Sequence, residues 1–285
     1  MSILQPTYQH NLGYALGGGG ARGFAHLGVL KALDESGLKP DIIIGTSAGA
    51  LAGVFYADGF HPEEVYELFQ KKEFLQFAEL SLPNAGFLKN SGLCNLLKSN
   101  LRAKKFEQLK IPFISVATDW VRGRTVTFSE GDNLVESVVA SCSVPIIFQP
   151  QYIDSVAYVD GGVFKNFPVS LIRKECKYVV GVNVSKIAPL AKMMNIRKMS
   201  ERTFRMMANS NTLLDRDLCD ILIEPRGISN LSMFDLKNVE QVGRIGYLTA
   251  VKKMQEENAK QITKRCLRYN ELGKIVKEYI KKTSI

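Results

Sequence analysis

Histidine is nearly absent from this chain. His10, His26 and His61 are the only three in 285 residues, and none follows position 61. Any scheme that draws a histidine from the last three quarters of the sequence is excluded by counting. Cysteine supports neither a disulfide framework nor a zinc site. Cys94, Cys142, Cys176, Cys219 and Cys266 are odd in number, widely scattered and never at metal-ligand spacing. They read as small core residues with free thiols, as in a reducing, cytoplasmic setting. No apolar run approaches the ~20 residues that a membrane-spanning helix needs. The longest weakly polar stretch, Ile42 to Ala57, is short and rich in Gly, Ala, Ser and Thr. The polar segment Met1 to Asn11 has no basic region leading into an apolar one, so a secretory leader is not expected. Repeats, low-complexity tracts and linkers rich in Pro, Gly or Ser are missing too, which favours one domain.

Against these absences stand 46% hydrophobic and 23% charged residues, the balance of a globular protein able to bury a sizeable core. The net charge of +9 is unevenly placed. Residues 251–285 hold ten Lys or Arg and four Glu, which is +6 of the +9. The expected organisation is therefore a domain over residues 8–250 and a basic helical extension over 251–285, packed on the domain or flanking it. Such a helix can face water, an anionic membrane surface or nucleic acid. Solvent is the default, and no zinc pattern or aromatic–basic motif supports nucleic acid. Peripheral contact with an anionic membrane is the partner left to test.

Along the first third, strand and helix signals alternate. Gly13 to Leu16 reads as a short strand running into Gly17-Gly18-Gly19-Gly20, and Phe24, Leu27, Leu30 and Leu33 recur at helical spacing up to Glu35. Asp41 to Ile44 is a short apolar strand of the kind buried in a parallel sheet, and a second helix runs from Gly45-Thr46-Ser47 to Tyr56. This order predicts an α/β fold with a mostly parallel central sheet. Further strands are expected at Ile111–Ala117, Thr125–Phe128, Tyr178–Val184 and Asp220–Glu224, with a hairpin across Asp154-Ser155. Val239 to Ile280 reads as helical and basic. The stretch Phe74 to Leu97 mixes large apolar residues, among them Phe74, Leu75, Phe77, Leu80, Leu82, Phe87, Leu88 and Leu93, with few charges; it suits a lid or interfacial patch, or simply a cover for the sheet.

Gly45-Thr46-Ser47-Ala48-Gly49 fits the G-x-S-x-G elbow, in which a sharp strand-to-helix turn lifts a serine hydroxyl clear of the sheet. The small neighbours Gly45, Ala48, Gly49 and Ala50 suit that turn, and the next helix aims its positive end at Ser47. The second signal is Gly17 to Gly23. Consecutive glycines leave backbone N–H groups free to converge on an anionic oxygen. The dinucleotide fingerprint fits Gly18, Gly20 and Gly23, but the acidic residue it requires is Asp41, at the near end of its strand rather than the far end. A P-loop is excluded because Phe24 stands where lysine is needed. The loop reads as an oxyanion hole beside the elbow.

A serine nucleophile needs a base. A triad in the order Ser, Asp or Glu, His has no third member here. A carboxylate remains. Asp160, before Gly161-Gly162, ends an apolar strand, but Asp119 and Asp154 also stand at strand ends or turns. The residues alone do not rank the three.

Taken together, the glycine loop with its arginine, the Gly-Thr-Ser-Ala-Gly elbow and Asp160-Gly161-Gly162 resemble the patatin-like phospholipase family, small bacterial single-domain type. The likeness extends through Ala117-Thr118-Asp119, Ala140 to Phe148 and Asn166-Phe167-Pro168-Val169, covering roughly Gly13 to Ser185. It implies a three-layer α/β/α fold and a Ser-Asp dyad acting on lipid acyl esters. Carried over, the nucleophile is Ser47, the base Asp160, and the oxyanion hole Gly18, Gly19 and Gly20 with Arg22. Gly17 stands where plant members have an aspartate. No metal or organic cofactor is implied. Acyl transfer by the same serine and a catalytically silent lipid-binding regulator are the alternatives. A dyad without histidine is expected to lack a pH limb near the ~6.5 of imidazole.

Overall fold

In the computed structural model, residues 7–70, 90–189, 196–231, 233, 236 and 238–283 are described. Strand β1 (His10–Leu16) leads into α1 (Phe24–Glu35), β2 (Ile42–Thr46) and α2 (Ala48–Ala57), the alternation read from the sequence. Helix α1 has no proline and buries Leu27, Leu30 and Leu33. It stops where Gly37 takes a left-handed φ of +75° and the Leu38 N–H returns to the Leu33 carbonyl at 3.0 Å.

Next come α3 (Pro62–Gln70), α4 (Ser91–Asn100), β3 (Phe113–Asp119), β4 (Arg124–Phe128), α5 (Leu134–Ser141), β5 (Gln151–Ile153) and β6 (Val156–Asp160). Strands β5 and β6 form the expected hairpin. Its turn residues Asp154 and Ser155 have φ +47° and +64°, which suits the twist of a two-residue connection. The chain ends with α6 (Val169–Ile172), β7 (Cys176–Val182), α7 (Ile196–Ser210), α8 (Leu213–Arg216), β8 (Ile221–Ile223), α9 (Val239–Met254) and α10 (Glu257–Thr283). Of the stretch Phe74 to Leu97, residues up to 89 lie outside the described part. Beyond it, Leu97 is buried, and Leu93 and Leu96 pack against the core.

The sheet runs β5-β6-β3-β2-β1-β7-β8, with β4 also paired to β3. Strands β3, β2, β1, β7 and β8 are parallel, whereas β4 and β6 run against them and β5, antiparallel to β6, returns to their direction. Side chains alternate across this sheet with period two. Leu12, Tyr14, Leu16, Ile43, Val180 and Val182 join the large core under α1, α2 and α9. Ala15, Ile42, Ile44 and Val179 point the other way, onto Phe167, Val169 and Ile172. Both faces are covered, giving the three layers expected, but α6 and α8 make the second helical layer thin.

Strand β3 sets where the ends of two other strands fall. Thr46, the last residue of β2, pairs with Val116, and Asp160, the last residue of β6, pairs with Ala117. Residues 115–119 of β3 already have β4 on one edge, so β2 and β6 share the other. They approach from opposite directions and their ends meet.

The division expected near position 250 falls inside α9, which continues to Met254. Ala259, Ile262 and Cys266 of α10 are buried in the same large core. Asn258 donates to the Asp220 carbonyl at 3.1 Å, and the Cys266 thiol interacts with Asn11. Both partners sit where parallel strands begin, so α10 packs across the end of the sheet opposite Thr46.

Candidate active site

Ser47 follows β2 and caps α2 with φ +54° and ψ −124°, a conformation that costs an L-residue on the order of 1–3 kcal/mol. Its surroundings enforce it. The Ser47 N–H donates to Ser141 Oγ at 2.8 Å, and that hydroxyl donates to the Val116 carbonyl at 2.6 Å. Gly49 allows α2 to sit on the sheet, because a Cβ there would lie 2.1 Å from the Leu16 carbonyl oxygen. Gly45 backs onto Gly49 and Ala50, and Gly23 onto Ala48.

Asp160 is fully buried at the end of β6, where the junction on β3 brings it beside Ser47. Its Oδ1 accepts from the Gly162 N–H at 2.7 Å. Oδ2 lacks a partner in full hydrogen-bond geometry, although the Ser47 hydroxyl acts on the carboxylate strongly enough to favour its charged form. The two side chains are adjacent, without a hydrogen bond of full geometry between them. Burial outweighs both contacts and pushes the carboxyl up to about 7. Gly161 packs under the Val116 carbonyl, and Gly162 against Asp160 and Asn166.

The competing carboxylates are elsewhere. Asp119 accepts from the Val121 and Arg122 N–H groups and pairs with Arg122 at 3.0 Å, closing the β3–β4 turn. Asp154 is in the exposed hairpin turn. His26 is buried in α1, and its Nε2 donates to the Gly17 carbonyl at 2.7 Å. Burial lowers its pKa to about 4. This histidine is a neutral prop for the glycine loop.

The loop itself is pinned at both ends. Gly17 and Gly18 donate to the Val182 and Asn166 carbonyls, both at 2.9 Å, and Ala21 donates to the Met233 carbonyl at 2.7 Å. Between them, the N–H groups of Gly19 and Gly20 meet no acceptor among the described residues. Gly18 must be glycine for reasons of space, since a Cβ would meet Asn166 Oδ1 at 2.4 Å and the Ser47 Cβ at 3.1 Å. Arg22, expected in the oxyanion hole, is almost wholly buried. Its Nε donates to the Gly19 carbonyl at 3.1 Å and its Nη1 to the Lys186 carbonyl at 2.9 Å. It thus holds the loop in shape from behind.

Among the described residues, Ser47 borders an apolar cavity and a smaller polar one. The apolar one, of about 170 Å³, has Phe24, Leu27, Leu51, Phe69, Val144 and Phe148 in its wall. The other has room for a single water-sized group and is lined by Gly18, Gly19, Asn166 and Ser185 among others. Ser141, Asn166 and Met233, which carried no expected role, hold the elbow and the loop. Among the described residues, no group of three or more His, Cys, Asp or Glu converges as a metal site would.

The same stretch of chain is recognisable by comparison. Residues 14–172, more than half of the chain, match the family described as patatin-like phospholipase. The chain belongs to that family. Patatin-like relatives include an uncharacterised NTE family protein of Mycobacterium tuberculosis, 31% identical over 206 residues, which is 70% of this chain and 57% of that protein. Lysophospholipase NTE1 of Kluyveromyces lactis is 26% identical over 283 residues, 87% of this chain and 20% of that protein. The chain thus spans little more than half of one relative and a fifth of the other. VipD from Legionella pneumophila shares the fold, with a TM-score of 0.50 at 14% identity over 87% of this chain and 67% of that one. Ser47, Asp160 and the glycine loop lie inside the patatin-like stretch, whereas Ser185, α7 and Met233 lie beyond it.

Proposed function

We propose that the protein is a serine acyl-hydrolase acting on lipid esters. The observation that carries this is the buried carboxyl of Asp160, adjacent to a serine held on a strained elbow that opens into an apolar cavity. Ser47 Oγ attacks the ester carbonyl as Asp160 takes its proton, and the carbonyl electron pair moves onto oxygen. The unfilled N–H groups of Gly19 and Gly20 receive that oxyanion. On collapse the alkoxide leaves with the proton from Asp160, and an acyl group stays on Ser47. Water, deprotonated by Asp160, then releases the carboxylic acid. The apolar cavity accepts the acyl chain. A relative named as a lysophospholipase makes lysophospholipid the first lipid to test.

The test is hydrolysis of a short p-nitrophenyl ester and of lysophospholipid by wild type, Ser47→Ala and Asp160→Asn. Activity in the wild type with loss of at least ~10²-fold in both folded variants supports the dyad. An active Asp160→Asn leaves the serine but removes the aspartate as base. Burial also revises the pH behaviour expected from the sequence. The base works only when deprotonated, so kcat/KM should rise through about pH 7 and level off above it. The position of that limb resembles an imidazole limb; its temperature dependence does not, because carboxylate ionisation is nearly athermal. A limb that shifts strongly with temperature, or that survives in Asp160→Asn, counts against Asp160.

A further inference from the structure

The smaller cavity has a wall that the patatin-like stretch does not supply. Helix α7 turns residues 201, 204, 205 and 208 inward at helical spacing, with Phe204 and Ala208 buried. Arg205 lines the cavity beside Gly18, Gly19, Arg22 and Ser47. Its side chain is 10% exposed. One terminal nitrogen, Nη2, donates to the Ser229 carbonyl at 2.9 Å, and Nη1 is 3.9 Å from Glu201. Its Nε is buried without an acceptor.

Arg22 and Arg205 therefore both line one water-sized space. Arg22 is lowered to about 9, first by burial and then by the charge of Arg205, with Glu201 opposing. Holding this positive potential in a low-dielectric site is unfavourable until an anion arrives. The ester carbonyl is neutral when it binds and becomes anionic only on attack. An interaction of this kind is stronger in the transition state than in the ground state, which is the condition for raising kcat.

We infer that Arg205 stabilises the oxyanion formed at Ser47, so that α7 completes the catalytic site from outside the family-matched stretch. This rests on the acyl-hydrolase proposal above. In it, the acyl chain occupies the apolar cavity and the oxyanion the polar one. The Oγ–C bond forms, the carbonyl pair becomes the oxyanion, and the serine proton goes to Asp160. A long-chain trifluoromethyl ketone undergoes the same addition but has no leaving group, so it stops at the oxyanion. The corresponding methyl ketone fills the same space with far less tendency to add.

The experiment compares inhibition by these two ketones, with steady-state kinetics, in wild type, Arg205→Gln, Arg205→Met and Arg205→Lys. Two uncharged variants are used, each first shown to be folded by circular dichroism, because removing Arg205 leaves the largely buried Glu201 carboxylate without this cation. Uncharged variants should lose on the order of 10²-fold in kcat and in affinity for the trifluoromethyl ketone, with methyl-ketone affinity and KM little changed. Arg205→Lys should recover most of the loss. An equal change for both ketones indicates a role only in propping Ser229 to Met233, and no change for either indicates none. Both results overturn the inference. A wild type that neither hydrolyses esters nor binds the trifluoromethyl ketone overturns the hydrolase proposal, and this inference with it.

Discussion

As the proposed base, Asp160 would couple reactivity to instability at the level of a single residue. An unfolded aspartate ionises near pH ~4, whereas this one holds its proton to about 7. Between those values the folded chain keeps a proton that the unfolded chain has lost. Wild-type stability should therefore fall as pH rises from about 4 to 7 and then level. Asparagine carries no such charge. Asp160→Asn should be more stable than wild type at pH 8, by at most about 4 kcal/mol, and nearly equal to it at pH 4. Urea unfolding at the two pH values measures this; equal stability at pH 8 would mean that the carboxylate is better solvated than its burial indicates. The serine of this pair was legible because an elbow is local, written in Gly45 to Gly49. The proposed base was not legible from the residues, since Asp119, Asp154 and Asp160 all look alike as acids at strand ends or turns. The family resemblance points to Asp160, and the pairing of β3 sets that residue beside the end of β2.

Among the elements, strands and early helices were readable because their apolar residues recur with the right period. Helix α7 was not. Its apolar and charged residues segregate as in an amphipathic helix, yet it turns the charged Glu201 and Arg205 inward while Met199 and Met206 are half exposed at 50% and 53%, so the pattern does not tell which side faces the site. Ser141 and Asn166 belong to recognised stretches, but their roles depend on partners 94 and 148 residues away. The crossing of α1 and α9 offers a test of packing against propensity. A Cβ on Gly28 would lie 1.9 Å from the Gly243 carbonyl oxygen. Alanine is favoured over glycine by roughly 1 kcal/mol inside a helix, yet here the helices would have to separate. Gly28→Ala is expected to destabilise by about 1–3 kcal/mol in chemical unfolding. A gain in stability would show that these helices are not in backbone contact.

For the whole molecule, the basic helix and the elbow lie at opposite ends of the sheet. A membrane held by Lys260, Lys264 and Arg268 of α10 would face away from Ser47. Changing all three to glutamine should reduce co-sedimentation with anionic vesicles at low salt and leave hydrolysis of a soluble ester unchanged. A fall in that rate would tie α10 to the site. The separation of the working parts along the chain has a further result during synthesis. Ser47 emerges early from the ribosome, but the carbonyls that pin its glycine loop belong to Asn166, Val182 and Met233. A nascent chain halted before β7 carries the proposed nucleophile while its glycine loop still lacks the Val182 and Met233 carbonyls that brace it. On the hydrolase proposal, such a chain stays inactive toward nearby lipid until most of the protein has been made.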